Sequence, residues 1–264
     1  MTALRRNDVR IAGNGPETIV FSHGFGCDQT AWHDVAPHFA QRYRTISFDH
    51  VGSGGSELSS YDPDKYNSLN GYAADVVELF DELALQNAVF VGHSVGAMIG
   101  LLAAVQRPHC LGSLVMVCPS PYYIDEPGYV GGFTRTDLDE LLEVVDSNFM
   151  GWSRATAPII MGNPDRPELG QALGASFCRT DPAIAKRFAR VTFLSDHRPD
   201  LPLCRTPTLV MQTRADMIAP EAVGSYIVGQ MPHAELALMD ATGHCPHMSA
   251  PAETIAIIER YLAR

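Results

Sequence analysis

Short apolar runs bounded by turn residues alternate with amphipathic stretches along the first 118 residues. The runs Thr18–Ser22, Thr45–Phe48, Ala88–Val91 and Leu114–Cys118 predict strands covered on both faces. Two more, Thr208–Gln212 and Glu235–Met239, follow near the end of the chain. Between them the spacing predicts helices over Ala31–Phe39, Leu69–Leu83, Val95–Gln106, Glu221–Gly229 and Ala252–Leu262, with Pro37 ending or kinking the first. Strand–helix alternation of this kind points to βαβ units and a mostly parallel sheet.

The alternation stops after Cys118. From Ser120 to Leu203 no buried strand is evident, only helical pieces near Asp137–Asn148, Phe149–Met161, Glu168–Phe177 and Ala183–Phe193. In the first of these Leu138, Leu141, Leu142 and Val145 recur at helical spacing, and Asn-Pro, Arg-Pro and Asp-Pro breaks separate later pieces. We therefore expect an α/β core formed by residues 1–119 and 204–264, with residues 120–203 inserted as a helical cap over the carboxyl edge of the sheet.

Composition narrows what such a fold can do. The 264 residues are 46% hydrophobic and carry a formal charge of −11, so a phosphate-rich surface would be repelled, and no nucleic-acid or anionic-membrane partner is expected. No apolar run is long enough to span a membrane, and Met1–Arg10 lacks the apolar segment of a signal peptide, so a cytoplasmic location is expected. The six cysteines show neither C-x-x-C pairs nor zinc-finger spacing and are expected to be reduced. The only lysines, Lys65 and Lys186, lie outside any Gly-Lys-Ser/Thr sequence, which excludes a P-loop.

Chemistry concentrates at Gly92-His93-Ser94-Val95-Gly96, between a strand and a helix. A tight strand-to-helix turn strains the serine backbone and lifts its hydroxyl above the sheet edge. A serine hydroxyl needs a base, and the base needs an orienting carboxylate, in the chain order Ser, Asp, His. Asp216 and His244 follow late strands and fit; Asp240 and His247 are the rival acid and base. We expect Asp240 to cap a turn and His247 to hydrogen-bond locally or start the last helix. The backbone N–H groups of Phe25 and Val95 are the expected oxyanion donors.

Other loops offer less. Ser22-His23-Gly24-Phe25-Gly26 is a near miss to G-x-G-x-x-G, with Gln29 in place of the third glycine, so no dinucleotide is expected. His23 and His93 are expected to brace their loops, with His93 pointing away from the serine's pocket. Asp49-His50-Val51-Gly52-Ser53-Gly54-Gly55-Ser56 reads as a turn beside the nucleophile. The proline within His244-Cys245-Pro246-His247 argues against a metal site there, so neither metal nor cofactor is expected. Tyr122, Tyr123, Tyr129, Phe133, Phe149, Trp152, Phe177 and Phe193 make the cap aromatic, and about half should wall an apolar pocket with Phe25 and Val95.

These motifs resemble the α/β-hydrolase superfamily. His23-Gly24-Phe25-Gly26-Cys27-Asp28-Gln29, Asp49 to Gly54, Gly92 to Gly96 and Gly243 to Ser249 are similar to the RsbQ-type bacterial stress regulators, whose relatives include the plant strigolactone and karrikin receptors. Tyr129-Val130-Gly131-Gly132-Phe133 and Asn163-Pro164-Asp165-Arg166-Pro167 extend the likeness into the cap. The resemblance implies a four-helix V-shaped cap, a Ser94–Asp216–His244 triad, and a pocket with Tyr123, Phe133, Trp152 and Phe193 in lining positions. Tyr123 departs from the phenylalanine usual in the plant receptors. Expected function is hydrolysis of a small hydrophobic ester or lactone. The alternative is a ligand-sensing regulator, slow or used once, that switches on a partner phosphatase. Haloperoxidase or carbon–carbon bond hydrolase chemistry on the same serine is a third reading.

Overall fold

The computed structural model describes residues 1–264. Seven strands form one sheet: β1 Arg10–Ala12, β2 Thr18–Ser22, β3 Arg44–Phe48, β4 Ala88–His93, β5 Leu111–Val117, β6 Thr208–Thr213 and β7 Ala234–Met239. Their order is β1-β3-β2-β4-β5-β6-β7, with only β1 antiparallel to its neighbour. Ten α-helices accompany them in chain order: α1 Ala3–Arg6, α2 Ala36–Phe39, α3 Leu69–Glu82, α4 Val95–Gln106, α5 Arg135–Met161, α6 Pro167–Phe177, α7 Pro182–Leu194, α8 Glu221–Gln230, α9 Pro246–Ser249 and α10 Pro251–Leu262.

Apolar layers cover both sheet faces. On one, Val20, Ile46, Phe90, Leu114 and Val210 pack under α3, α4 and α8. On the other, Ile19, Phe21, Val91, Val115 and Leu209 meet Trp32, Phe39 and Ile258. Alternate side chains of a strand point to opposite faces, so a strand inside such a sandwich must be apolar throughout. Every side chain of β6 is buried. Helix α4 is buried from Val95 to Ala104, which explains its nearly uninterrupted apolar sequence.

The six expected strands are present within a few residues of their expected ends. β1 has no counterpart in the sequence reading because all three of its residues are exposed, which leaves no buried face to read. The expected helix Ala31–Phe39 is replaced by a 3₁₀ turn at Gln29–Trp32 and the short α2. Pro37 sits in the first turn of α2, where its missing N–H breaks no helical bond.

Between β5 and β6 the chain forms α5, α6 and α7, with isolated bridges at Ile124–Phe133 and Glu126–Tyr129 but no strand. The two helical pieces expected at 137–161 are one run broken at Asn148, whose φ −150° and ψ 71° are non-helical. Thr134 and Asp137 form a reciprocal capping box at its start, and Gly162 ends it in the left-handed conformation. Leu138, Leu142, Val145, Phe149, Trp152 and Phe177 make a separate apolar cluster that meets the core through Cys27, Ala31 and Ile218.

Candidate active site

The carboxyl ends of β2, β4, β6 and β7 bring together the loops that carry the chemistry, as an open α/β sheet favours. Ser94 joins β4 to α4 with φ 53° and ψ −122°. Side chains at the flanking glycines would collide: a Cβ on Gly92 falls 2.5 Å from Gly96 O, and one on Gly96 falls 2.4 Å from His23 O. Small residues on both sides therefore let the turn close with Ser94 at its apex.

Ser94 Oγ lies 2.8 Å from His244 Nε2, and His244 Nδ1 lies 2.7 Å from Asp216 Oδ2. All three residues are buried. With its Nδ1–H donated to Asp216, the imidazole keeps Nε2 free to accept the serine proton. The other carboxylate oxygen, Asp216 Oδ1, accepts from the N–H groups of Ile218 at 2.8 Å and Ala219 at 3.1 Å. These bonds hold the carboxylate plane toward the ring.

The rival residues lie elsewhere. Asp240 is exposed, and its own backbone N–H is capped by Glu253 Oε1 at 2.7 Å, so the turn there is closed by Glu253 rather than by the Asp240 carboxylate. His247 sits in α9, fully enclosed, its ring 4.4 Å from Trp32 and 4.3 Å from His93. Neither of its nitrogens has a partner, contrary to the local hydrogen bond expected of it. Burial, then the neighbouring His244, lowers its pKa to about 3, so it is a neutral packing residue.

The bracing histidines are better resolved by geometry than by sequence. His23 Nδ1–H donates to Gly24 O at 2.9 Å, and its Nε2 accepts from His50 N at 3.0 Å, which ties the Phe25 loop to the loop after β3. His93 Nε2–H donates to the carbonyl of His244 at 2.8 Å. Its ring packs between His244 and His247 and holds the peptide of His244, the residue beside the serine. Burial, reinforced by His247 and His244, keeps His93 far below the usual histidine range and hence neutral.

Val95 N–H opens α4, where first-turn amides have no intrahelical acceptor, and Phe25 N–H is not consumed by any loop hydrogen bond. Above Ser94 lies a cavity of about 70 Å³ bounded by the five expected lining residues Phe25, Tyr123, Phe133, Trp152 and Phe193. Cys27, Ile160, Phe177, Ile218 and Cys245 complete its inner wall, and half-exposed Met217 stands at its margin. Phe25 meets Trp152, Phe177 and Phe193 at centroid distances of 5.8–6.3 Å, an edge-and-tilt cluster joining core to cap. Tyr122 and Tyr129 serve a different purpose: Arg198 lies over both rings at the base of the cap.

Sequence reasoning missed Cys118. Its thiol sulfur, the Asp216 carboxylate and His244 lie within 4.8 Å of one another, and Cys118 adopts φ 48°. Burial, with the Asp216 charge second, raises its pKa well above the ordinary thiol value, so the sulfur stays protonated. Only the turn residue Pro119 after an apolar run hinted at a special position there.

Known proteins resemble this chain in sequence and fold. A hydrolase from Oleispira antarctica superposes with a TM-score of 0.96 at 40% identity, covering 99% of this chain and 96% of that one. Over 257 residues the chain is 34% identical to Karrikin insensitive 2 receptor CA of Petunia hybrida, covering 97% of this chain and 95% of the receptor. Strigolactone esterase D14 of Arabidopsis thaliana is 33% identical over 262 residues, covering 99% and 98%. The family model described as "Alpha/beta hydrolase family" matches residues 19–257, which span every strand from β2 to β7 and the loops of Ser94, Asp216 and His244. By sheet order, elbow and family match together, the chain belongs to the alpha/beta hydrolase family.

Proposed function

We propose that the protein is a serine hydrolase that cleaves a small, largely apolar ester or lactone. The observation that carries this reading is the hydrogen-bonded line Ser94–His244–Asp216 at the floor of an apolar cavity. His244 deprotonates Ser94 as it attacks the carbonyl, and the Phe25 and Val95 N–H groups receive the oxyanion. Asp216 holds the imidazole tautomer and stabilises its protonated form. Protonated His244 then donates to the leaving oxygen, and water, deprotonated by the same ring, releases the acid.

Cavity size defines the substrate class. The cavity above Ser94 is small, about 70 Å³, so short acyl groups should be accepted over long ones unless the cap moves. Aryl acetate hydrolysis followed by stopped flow tests both parts. Ser94→Ala should lower turnover at least ~1,000-fold, and kcat/KM should fall from butyrate to octanoate. Full turnover by Ser94→Ala would remove the reading.

A second reading is favoured by the relatives, one named a receptor and one an esterase, at similar identity. Here the same three residues act slowly on a small hydrophobic ligand, and the cap carries the signal. The partner phosphatase of this reading rests on the resemblance to the bacterial regulators alone. Rapid multiple turnover with no ligand-dependent partner in a pull-down selects the enzyme; one slow turnover that changes cap exchange selects the sensor.

A further inference from the structure

The turn between α5 and α6 lies against the loop that carries His244, and the two are joined through several independent hydrogen bonds. His244 N donates to Ile160 O at 2.9 Å, and Thr242 Oγ1 donates to Gly162 O at 3.1 Å. Asn163 Nδ2 bridges Met161 O at 2.6 Å and Thr242 O at 3.2 Å. The guanidinium of Arg166 donates to Asn163 Oδ1 at 2.9 Å and to Ser249 O at 2.6 Å. Arg166 thus orients the Asn163 amide and also grips the carboxyl end of α9, the short helix that follows the His244 loop.

The backbones approach as closely as glycine permits. Gly162 at φ +64° faces Gly243 at φ +82°; a Cβ on Gly162 would fall 2.7 Å from Gly243 Cα, and one on Gly243 would fall 1.8 Å from Met161 O. From the core side the loop is held by Thr213 Oγ1 on Gly243 O at 2.8 Å and by His93 on His244 O at 2.8 Å. The peptide of His244 is therefore fastened on one side by the sheet and on the other by the cap.

We infer that Asn163 and Arg166 are positioning residues for His244, so that the reach of the base toward Ser94 depends on where the cap sits. The inference rests on His244 being the base of the proposed hydrolase. It gives the Asn163-Pro164-Asp165-Arg166-Pro167 segment a task that lining a pocket does not: none of these residues bounds the cavity. A small displacement of this turn carries Thr242, Gly243 and His244 with it and lengthens the Ser94–His244 bond, while the pocket walls on α7 and the Phe25 loop stay in place. Displacement of a catalytic group by about 1 Å from a distant change can cost about a hundredfold in rate.

The test uses the full-length protein and an aryl acetate. In Arg166→Met, with active sites counted by titration, the acylation rate should fall about tenfold to a hundredfold with KM within about twofold. The low-field proton of the His244–Asp216 hydrogen bond should broaden in the NMR spectrum, and Arg166→Lys, which can still reach Ser249 O, should recover part of both. Asn163→Ala keeps the Arg166–Ser249 bond and should show the same changes to a smaller degree; it serves if Arg166→Met does not fold. Wild-type acylation and an unchanged low-field proton in both variants overturn the inference. Ser94→Ala is run beside them: if it keeps full turnover the hydrolase reading fails, whereas loss in Ser94→Ala with no loss in the two cap variants removes only the positioning role. The NMR signal reports on His244 even if no ester is turned over.

Discussion

Ser94 occupies a backbone conformation that costs an L-residue about 1–3 kcal/mol, and it persists because β4, α4 and two collision-limited glycines over-determine the turn. Asp216 is just as constrained, with one oxygen on His244 and the other on two backbone amides. Asp216→Asn keeps the shape but can donate to Nδ1 and so select the wrong tautomer. A loss of about 10⁴ in kcat with little change in thermal midpoint is expected; steady-state kinetics and calorimetry on one preparation check it. Three buried histidines make a second prediction. Burial, then neighbouring His23, lowers His50; burial, then His247 and His244, lowers His93; His247 is brought to about 3. Each stays neutral in the fold but takes a proton in the unfolded chain below about pH 6.5. Stability is therefore full above about pH 6.5 and declines as pH falls toward the folded values, by about 1.4 kcal/mol per pH unit for each group in its window. Urea midpoints between pH 7 and pH 4.5 should show that slope, and His247→Phe should flatten it. The G-x-S-x-G turn and the placement of Asp216 and His244 after late strands, together with the chain order, name three residues that the fold brings within hydrogen-bonding distance. Cys118 and the His93–His244 bond escape such reading because each depends on a contact between distant segments.

At the scale of elements, legibility follows burial. Strands β2, β4, β5 and β6 announce themselves through largely apolar, buried runs, and α4 through its length and its near lack of polar residues. β1 pairs through its backbone at the sheet's edge with all three residues exposed, so pattern carries no information about it. The break in α5 is legible: the two helical pieces read from the sequence, 137–148 and 149–161, meet at Asn148, where the helix is interrupted. Asn148 makes the break stable, because its Oδ1 accepts from Gly151 N at 2.9 Å and caps the second half of the helix. Asn148→Ala should remove about 1 kcal/mol from that half. Hydrogen exchange should then quicken about fivefold for amides 150–160 while those of α3 and α4 hold steady; uniform exchange across the chain would contradict a local cap. The Phe25 loop and α6 constrain each other differently, through the Phe25–Phe177 contact at 5.8 Å.

Over the whole molecule, the cap is rooted at the two connections to the sheet and fastened again at the His244 loop. At the root, the Arg198 guanidinium lies 4.1 Å from the Tyr122 ring and 4.9 Å from that of Tyr129, and pairs with Asp196 and Glu126. Arg198→Ala should lower stability by about 1–2 kcal/mol, measured as a shift in urea midpoint with the transition remaining single. A split transition would mean that cap and sheet melt separately. No helix is long and apolar enough to cross a membrane, the 27-residue α5 included. The distance in sequence between Ser94 and its base has a temporal consequence. The two are 150 residues apart, and Asp216 is nearer the base than the serine. During synthesis the elbow half can fold while both its activating partners are still unmade. In the proposed mechanism Ser94 stays unactivated until β6 and β7 are in place, because the loops that follow them carry Asp216 and His244.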